Sequence, residues 1–580
     1  MVRLIRLARY LKSYKKECVW GPFFKFLEAF FELLLPTVMA LVINLGVEKR
    51  DAAVVVRLGG LMVLMAACGF CCAAICQYFA ARASQGFGTD LRNDVFRHIL
   101  RYSYAQLDGF GAPTLTTRIT NDVNQLQQWV AMMIRLVPRA PFICVGAMIL
   151  SFFLDPKLAL ILLAATPVLG GIIFVLTKFA SPLYREYQKR LDGIARVLRE
   201  NLSGVRVIRA FSKTEEETAR FNRANDGLLQ TGFGIGRISS FFNPLTALVV
   251  NMVIVLILWF GGVHINAGRL SQGQIIAFIN YVNQILYALL VVSNLIILLT
   301  KAMASAARVN EVLAAPADET EQAAESPTPL PFAPAVEFRD VSFGYSETGE
   351  KALEHVSLRV KRGETLGVIG ATGSGKTTLV NLIGRFYDAD SGAVLVDGVN
   401  VQSYPPAELR RKIGLVPQKA LLFSGTVSEN IRWGKRDADA GAVEEAARTA
   451  QADEFIRELP QGYDTPVSRG GANLSGGQRQ RLTIARALAA DPEILILDDA
   501  SSALDFLTDA RLRSAIRKKS RNRTVILVSQ RAGAIRSADR ILVLEDGKAA
   551  GLGTHEELLR SCGVYREICL SQLSAQEAGL

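Results

Sequence analysis

The sequence predicts six membrane-spanning helices followed by a cytoplasmic α/β domain. Half of its 580 residues are hydrophobic and only 21% are charged, and its mean hydropathy is +0.24. These values exclude a disordered chain, a fibre and a small disulfide scaffold. The apolar residues concentrate in the first 300 positions, whereas after residue 336 short β-rich runs alternate with helical segments. That change of pattern marks two domains of different kinds.

Six apolar stretches are each long enough to cross a bilayer, which takes about 20 residues. They cover residues 19–43, 58–80, 129–154, 158–180, 241–263 and 275–299. The basic, amphipathic start of the chain lacks the short charged region, apolar core and small-residue site of a cleavable signal. An even number of spans places both ends of the chain on the same side of the membrane.

The distribution of basic residues predicts which side that is. Residues 1–18 carry six Lys or Arg against one acid, Glu17, and the long connections 81–128 and 181–240 are also basic. The alternate connections, 44–57, 155–157 and 264–274, are short and nearly neutral. By the positive-inside rule the termini and both long loops are cytoplasmic, in a multi-pass protein of the cell membrane. This topology explains most of the net charge of +12, so nucleic acid is not an expected partner.

The domain boundaries follow the composition. Residues 1–313 form the membrane domain with its long cytoplasmic loops, and 314–335, rich in Pro, Ala and Glu, form a linker. Residues 336–572 form the α/β domain, and 573–580 form a tail. Four of the eight cysteines crowd one apolar stretch without zinc-site spacing, which is typical of small hydrophobic residues in a helix.

A phosphate-binding loop follows the predicted strand TLGVI. Residues 370–378 read GATGSGKTT, the pattern G-x-x-x-x-G-K-[ST], in which glycines let backbone amides turn inward around phosphates. Lys376 would reach the β- and γ-phosphates, and the Thr377 hydroxyl would reach Mg²⁺. A second apolar strand, ILIL, ends in Asp498, which would also hold the Mg²⁺ shell. Between them, LSGGQ at 474–478 precedes a basic helical run and can present backbone amides to another phosphate.

These motifs resemble those of ATP-binding cassette (ABC) transporters, and the membrane half resembles six-helix ABC exporters. TTRITNDV at 116–123 and VIRAFSKTEEETARF at 207–221 match the family's two cytoplasmic loops. The resemblance implies a six-helix transmembrane domain fused to a P-loop ATPase domain, with ATP and Mg²⁺ as cofactors. LSGGQ at 474–478 resembles the family's signature motif. The resemblance also implies that two chains pair head to tail, each ATP lying between one chain's phosphate loop and the other chain's signature.

The same resemblance implies the site residues. Those expected to contact ATP are Tyr345, Gly370, Thr372, Gly373, Ser374, Gly375, Lys376, Thr377, Thr378, Ser475, Gly476, Gly477, Gln478 and Asp505. Those expected to hold Mg²⁺ are Thr377, Gln418 and Asp498, and the catalytic positions are Asp499, Gln530 and Gln418.

Three positions depart from the family pattern. Asp499 stands where the general base is normally Glu, which retracts the carboxylate by about 1.5 Å. Gln530, in the segment LVSQR at 527–531 that matches the family's switch segment, replaces the family's His and cannot take up a proton near neutral pH. Arg469 stands where exporters usually have Glu. The pattern resembles the slow-site half of heterodimeric bacterial exporters. In such a pair this chain's signature completes the partner's hydrolytic site, and the loops near 108–116 and 212–219 transmit closure to the helices.

Other interpretations stay open at this point. The chain could form a homodimer with two slow sites, a regulatory ATP-sensing subunit or an importer. Two polar stripes lie on predicted spans: Lys25, Glu28 and Glu32, and then Asn280, Gln284, Tyr287 and Asn294. The first is either part of a transport path or an ion-paired cluster near the cytoplasmic interface, and the second is a cavity wall or interhelical hydrogen bonding. The apolar and aromatic content favours an amphipathic substrate.

Overall fold

A computed structural model of the chain describes residues 2–316, 330, 332–346, 349–519 and 523–572. The chain divides into two compact units, Met1–Leu100 with Ala112–Ala315, and Arg101–Gly111 with Pro316–Leu580. The short segment Arg101–Gly111 therefore groups with the α/β unit, although it precedes the third span in the sequence. Most of the predicted linker and the whole predicted tail lie outside the described residues.

The first unit is helical. Its helices are α1 (Val2–Leu7), α2 (Lys15–Leu41), α3 (Ala52–Ile99), α5 (Ala112–Thr117), α6 (Val123–Arg135), α7 (Arg139–Leu154), α8 (Pro156–Ser203), α9 (Val205–Ala210), α10 (Thr214–Asn266) and α11 (Gln272–Ala314); α4 (Tyr104–Phe110) falls in the segment that groups with the second unit. Short 3₁₀ and π segments join some of them into longer helices.

Six of these continuous helices are long and apolar enough to cross a membrane, which confirms the six predicted spans. In chain order, spans 1 to 6 are Leu4–Val47, Ala52–Ile99, Ala112–Leu154, Pro156–Ser203, Thr214–Asn266 and Gln272–Ala314. Span 5, with 53 residues, is about 80 Å long, far more than a hydrocarbon core of about 30 Å. Much of what the sequence pattern treats as long loops is therefore helix.

Local sequence explains how these helices begin. Asp155 ends span 3 and caps α8, accepting hydrogen bonds from the backbone N–H groups of Lys157 and Leu158. Pro156 then occupies the first helical turn, where its missing N–H costs nothing. Asp51 caps α3 in the same way. On the polar extension of α8, the pair Glu186–Arg190 at i, i+4 adds the local support that such helices use outside the membrane.

The second unit is built on three sheets. A six-stranded sheet has the order β12-β11-β3-β10-β9-β6, a four-stranded sheet the order β2-β1-β4-β5, and β7 pairs with β8. The strands are β1 (Val336–Phe343), β2 (Leu353–Val360), β3 (Thr365–Gly370), β4 (Ser391–Val396), β5 (Val399–Asn400), β6 (Ile413–Val416), β7 (Gly425–Thr426), β8 (Pro466–Val467), β9 (Ile494–Asp498), β10 (Thr524–Val528), β11 (Arg540–Glu545) and β12 (Lys548–Gly553). The six-stranded sheet is parallel except for β12.

Short helices surround these sheets. They are α12 (Lys376–Ile383), α13 (Pro406–Lys412), α14 (Val427–Arg432), α15 (Ala440–Thr449), α16 (Asp453–Glu458), α17 (Gly476–Ala489), α18 (Phe506–Lys519), α19 (Ala532–Ile535), α20 (His555–Ser561) and α21 (Gly563–Gln572). Every residue of β9 and β10 is buried, as expected for parallel strands covered on both faces.

Strand register brings three distant motifs to one edge of the sheet. β10 lies between β3 and β9, with Val528 opposite both Val368 and Asp498. The carboxyl ends of these parallel strands therefore meet where the phosphate loop, the paired aspartates and the switch segment begin. Open α/β sheets bind ligands at that edge.

Candidate nucleotide site

The phosphate loop connects β3 to α12, and its glycines are required by its geometry. Gly373 and Gly375 have φ values of +87° and +95°, which side-chain-bearing residues rarely adopt. A Cβ on Gly375 would lie 2.5 Å from the carbonyl oxygen of Ala352, and one on Gly370 would lie 2.1 Å from that of Leu544. The loop thus keeps its backbone open and lies at the N-terminus of α12, an arrangement suited to anions.

Lys376 lies against the inside of this loop. Its Nζ donates to the carbonyl oxygens of Gly370 at 2.9 Å and Ala371 at 2.6 Å, and to Ser374 Oγ at 3.3 Å. Burial lowers the pKa of Lys376, opposed by the charges of Asp498 and Asp499. A desolvated ammonium held inside a glycine-rich loop fits the phosphates of a nucleotide, so the residues present suit ATP. Thr372 and Gly373 lie exposed at the outer side of the loop.

Two of the three residues predicted to hold Mg²⁺, Thr377 and Asp498, lie together beside the loop, and the predicted role of Gln418 toward the metal stays a prediction. Asp498 is 4% exposed at the end of β9, and its carboxylate shares a hydrogen bond with the Thr377 side chain. Burial raises the pKa of Asp498, against the lowering effect of that hydrogen bond. A hydroxyl and one carboxylate, completed by phosphate oxygens and water, suit Mg²⁺. Among the described residues no group of three His, Cys, Asp or Glu side chains could hold a metal alone.

Asp499 turns away from its neighbour in a left-handed conformation, φ 46°. Its N–H donates to the Val528 carbonyl at 3.0 Å, and its carboxylate shares a hydrogen bond with the Gln418 side chain. Burial raises the pKa of Asp499, while the Gln418 hydrogen bond and the charges of Arg531 and Lys376 lower it. The two predicted catalytic residues Asp499 and Gln418 are thus in contact.

The switch segment holds a contact that the sequence reasoning missed. Gln572, the last residue of α21, donates from Nε2 to the carbonyl oxygen of Gln530 at 2.9 Å. Its Oε1 accepts from the N–H of Ala532 at 2.8 Å. One side-chain amide therefore links the backbone on either side of Arg531, at the end of the switch segment. Because these positions are 42 residues apart and glutamine has no distinctive sequence signal, no pattern could have identified this contact.

The predicted adenine-stacking residue is exposed and belongs to an aromatic cluster. Tyr345 is 56% exposed, and its hydroxyl lies 3.0 Å from Thr378 Oγ1 on α12. Its ring meets those of Phe343 and Tyr387 at 5.0 and 5.2 Å, both nearly perpendicular. An exposed ring beside the phosphate loop suits stacking on a base.

The same cluster reaches α4, the helix between spans 2 and 3 that groups with this unit. The Tyr387 hydroxyl donates to the Asp108 carboxylate, and Tyr104 packs on Phe386 at 4.5 Å. Burial, together with that carboxylate, raises the pKa of Tyr387. The segment that the sequence analysis expects to transmit closure is thus anchored to the ring that contacts Tyr345.

The signature opens α17, apart from the phosphate loop. Ser475 Oγ accepts from Gln478 N at 3.2 Å, and Gln478 Oε1 accepts from Ser475 N at 2.9 Å, which is a capping box. Ser475 and Gly476 are exposed, and their predicted contact with a nucleotide on another chain stays a prediction. A Cβ on Gly476 would meet nothing within 4 Å, whereas one on Gly477 would lie 3.2 Å from the Ala503 carbonyl oxygen.

Asp505 and Arg469 lie on the same unit. Asp505 Oδ2 accepts from the N–H of Thr508 at 3.0 Å and so caps α18, which lowers the pKa of Asp505. Its predicted contact with ATP stays a prediction. Arg469 is exposed in a short 3₁₀ turn that precedes the signature.

Comparison with known proteins agrees with this geometry. Residues 19–289 match the model of the ABC transporter transmembrane region, and residues 353–502 match that of the ABC transporter ATPase domain. An uncharacterized ABC transporter ATP-binding protein of Mycobacterium tuberculosis is 39% identical over 586 residues, covering 100% of both chains. A protein named fatty acid ABC transporter ATP-binding/permease protein, from Mycobacterium bovis, is 36% identical over 82% of this chain and 75% of its own length.

A solved structure shares the fold. It is described as a bacterial Atm1-family ABC exporter with ATP bound, and it superimposes with a TM-score of 0.76 at 24% identity over 99% of each chain. The matched domains, the full-length relatives and the assembled phosphate site lead to one conclusion. This chain belongs to the ABC transporter family, with the exporter-type membrane domain and a transport-coupled ATPase domain in one polypeptide.

Proposed function

We propose that this chain is one half of a heterodimeric exporter and that its own ATP site turns over slowly. Asp499 carries the proposal: it stands in the general-base position of a site whose phosphate loop and Mg²⁺ ligands are otherwise in place. Its carboxylate is about 1.5 Å shorter in reach than that of Glu and is engaged by Gln418. Losing a positioned base costs about 10²–10⁴-fold in rate.

The switch position supports the same assignment. Gln530 can donate a hydrogen bond but cannot carry a positive charge near neutral pH, and none of the described residues hydrogen-bonds its side chain. The signature, in contrast, keeps an open, capped helix start at Ser475 and Gly476. We infer that this signature completes the partner's site, to which the partner contributes Glu and His, and that ATP is bound with Mg²⁺ at both sites.

The transported compounds are amphipathic, in our proposal, and move out of the cytoplasm across the cell membrane. The fatty-acid name of one relative and the apolar membrane helices support a substrate with an acyl or similar chain. Both termini, and with them the ATPase domain, lie on the cytoplasmic side because the basic connections do.

The test is ATP turnover of the purified chain alone beside the chain co-expressed with its partner. We expect the chain alone to hydrolyse ATP at least tenfold more slowly, since Asp499 and Gln530 would then occupy both sites. Comparable rates would contradict the heterodimer and favour a homodimer. Normal turnover of the pair without vectorial flux in vesicles would favour a regulatory subunit, and inward flux an importer.

A further inference from the structure

A small pocket opens in the first unit where spans 1, 3 and 6 pack. It has a volume of about 70 Å³, room for several water molecules or for a polar headgroup, but not for a whole amphiphile. Its polar lining comes from Glu32, Arg139, Gln284 and Tyr287. Glu32 lies about 22 Å along the helix from the end of span 1 at Val47, well within the length that crosses a bilayer.

An incompletely satisfied ion pair forms one wall. Arg139 Nη2 donates to both carboxylate oxygens of Glu32, at 2.9 and 2.7 Å. Both oxygens are therefore bound by a single nitrogen, rather than by two as in a fork-to-fork pair. Arg139 Nε is buried, and no described residue accepts its hydrogen. The guanidinium thus keeps a buried donor for which the described protein provides no acceptor.

Gln284 provides the complementary group. Its Nε2 donates to the backbone carbonyl of Glu32 at 3.2 Å, and because that partner is an acceptor, the orientation of the amide is settled. Its Oε1 is buried without a donor among the described residues. Arg139 and Gln284 both line the pocket, and a buried donor or acceptor without a partner costs about 1–3 kcal/mol, a cost that a ligand able to reach both groups would recover.

The charges that precede Glu32 and Arg139 along spans 1 and 3 favour an anion. In span 1, Lys25 pairs with Glu28 at 2.7 Å, so these two residues of the predicted stripe are ion-paired, as Glu32 is with Arg139. Arg135, four residues before Arg139, has no carboxylate within ion-pair distance among the described residues. Together these positions hold three cations and two carboxylates. Charges inside membrane spans are costly and are usually paired, so an anionic ligand would balance the excess.

The remaining walls are apolar. Ala140, Ile143 and Ala288 are at least 95% buried around the pocket, whereas Tyr287 is 68% exposed at its rim. An aromatic ring with a polar tip suits the boundary between a headgroup and a chain. Pockets of this kind use a few placed polar groups within an apolar lining.

We propose that this pocket binds the anionic headgroup of the exported amphiphile, a carboxylate or phosphate with a neighbouring hydroxyl or amide N–H. The anion accepts from Arg139, and the neighbouring donor pairs with Gln284 Oε1. The acyl chain leaves past Tyr287. This site deepens the proposed export function and rests on it, since it names the chemical class of the substrate.

Binding is measured by calorimetry on the purified full-length chain in an uncharged detergent, without nucleotide. The probes share one chain length: dodecanoate, a β-hydroxylated dodecanoate, dodecyl phosphate and dodecyltrimethylammonium. We expect saturable binding of the anionic probes and none of the cationic one. Comparing dodecanoate with dodecyl phosphate shows whether the pocket prefers a carboxylate or a phosphate headgroup. The hydroxylated probe should bind more tightly than dodecanoate to the unchanged chain. This difference should vanish in Gln284→Leu, which lacks the acceptor.

Two substitutions in the ion pair should act in opposite directions. Arg139→Gln should weaken the binding of anionic probes about ten- to a hundredfold, because a hydrogen bond to a charged group contributes about that factor to affinity. Glu32→Gln should strengthen them several-fold, because it frees the guanidinium from its competitor. Arg237→Gln, which removes an exposed arginine of α10, is the matched control for binding to surface charge and should change affinity less than twofold.

A purely structural ion pair predicts a different result. If Glu32→Gln and Arg139→Gln weakened binding equally, if Arg139→Gln changed nothing, or if the cationic probe bound as well, the proposal would be overturned. If Arg139→Gln fails to fold because Glu32 is left unpaired, the double variant Glu32→Gln/Arg139→Gln is used, since its two neutral amides can still contact each other. We expect the double variant to lose binding of the anionic probes, and retained binding would overturn the proposal. ATP turnover of the chain alone and of the pair is measured in a separate experiment. A failure of the proposed heterodimeric exporter is therefore distinguished from a failure of this binding site.

Discussion

Replacing Gly476 with Glu should abolish ATP turnover of the assembled transporter while leaving the chain as stable as before, or more so. Gly476 is the first residue of α17, its added Cβ would meet nothing within 4 Å, and the first turn holds no acid. Exchanging glycine for a better helix former stabilises by about 0.5 kcal/mol, and an acid near a helix N-terminus adds about 0.3–1 kcal/mol.

In the proposed head-to-tail pair, the same carboxylate would lie beside the γ-phosphate bound on the partner. At about 4 Å and an effective dielectric constant of about 20, two like unit charges repel by about 4 kcal/mol. At 1.36 kcal/mol for each factor of ten, this repulsion corresponds to a loss of about a thousandfold in turnover. Stability and activity should therefore change in opposite directions, as expected for a residue that contacts a ligand bound on another chain.

Asp499→Asn is the informative comparison. Asn can still accept the Gln418 hydrogen bond, and the position already lacks a well-placed base, so turnover of the pair should change less than about threefold. Steady-state ATPase rates and melting temperatures of both variants, each co-expressed with the partner, measure the contrast. Gly476→Ala controls for added bulk without charge. If Asp499→Asn were inactive and Gly476→Glu active, the assignment of slow and fast sites would be wrong.

Gly477→Glu is a less specific test of charge than Gly476→Glu. Its Cβ would lie in close contact with the Ala503 carbonyl oxygen, so added bulk alone would perturb the structure.

Three further predictions follow from single contacts. Lys376→Ala should lower retention of labelled nucleotide at this chain's own site at least tenfold, because a buried phosphate-binding cation is lost; unchanged retention would argue against that role. Gln572→Ala should lower the ATP turnover of the chain alone a few-fold without lowering the melting temperature, because the Gln530 carbonyl and the Ala532 N–H both lose their partner, and Gln572→Glu, which still accepts from Ala532 but cannot donate to Gln530, should restore part of that turnover. Gly375→Ala should destabilise the ATPase domain by more than 1 kcal/mol in denaturant unfolding, since φ is +95° and the Cβ would lie 2.5 Å from Ala352 O; a neutral result would contradict the strained-loop argument.

The sequence by itself determined the features that are local in the chain. Each membrane span is a contiguous run of apolar residues, and the phosphate loop is a strand, a glycine-rich turn and a helix in unbroken order, so both could be identified without tertiary information. The family resemblance of the motifs also led to the prediction that Lys376, Asp498 and Gln530 belong to one site. Parallel strands that end at a common edge bring Lys376 and Asp498 within electrostatic reach of each other, and the role of Gln530 stays a prediction.

Only the tertiary structure decided which side chains meet across elements. Glu32 pairs with Arg139, 107 positions away, and Gln572 bridges the switch segment from the end of α21. The sequence placed Glu32 and Gln284 on two separate polar stripes and did not single out Arg139. Which faces of packed helices contact one another depends on their rotation and axial register, and hydropathy along one helix carries no information about either. The pocket between spans 1, 3 and 6 is a property of that packing.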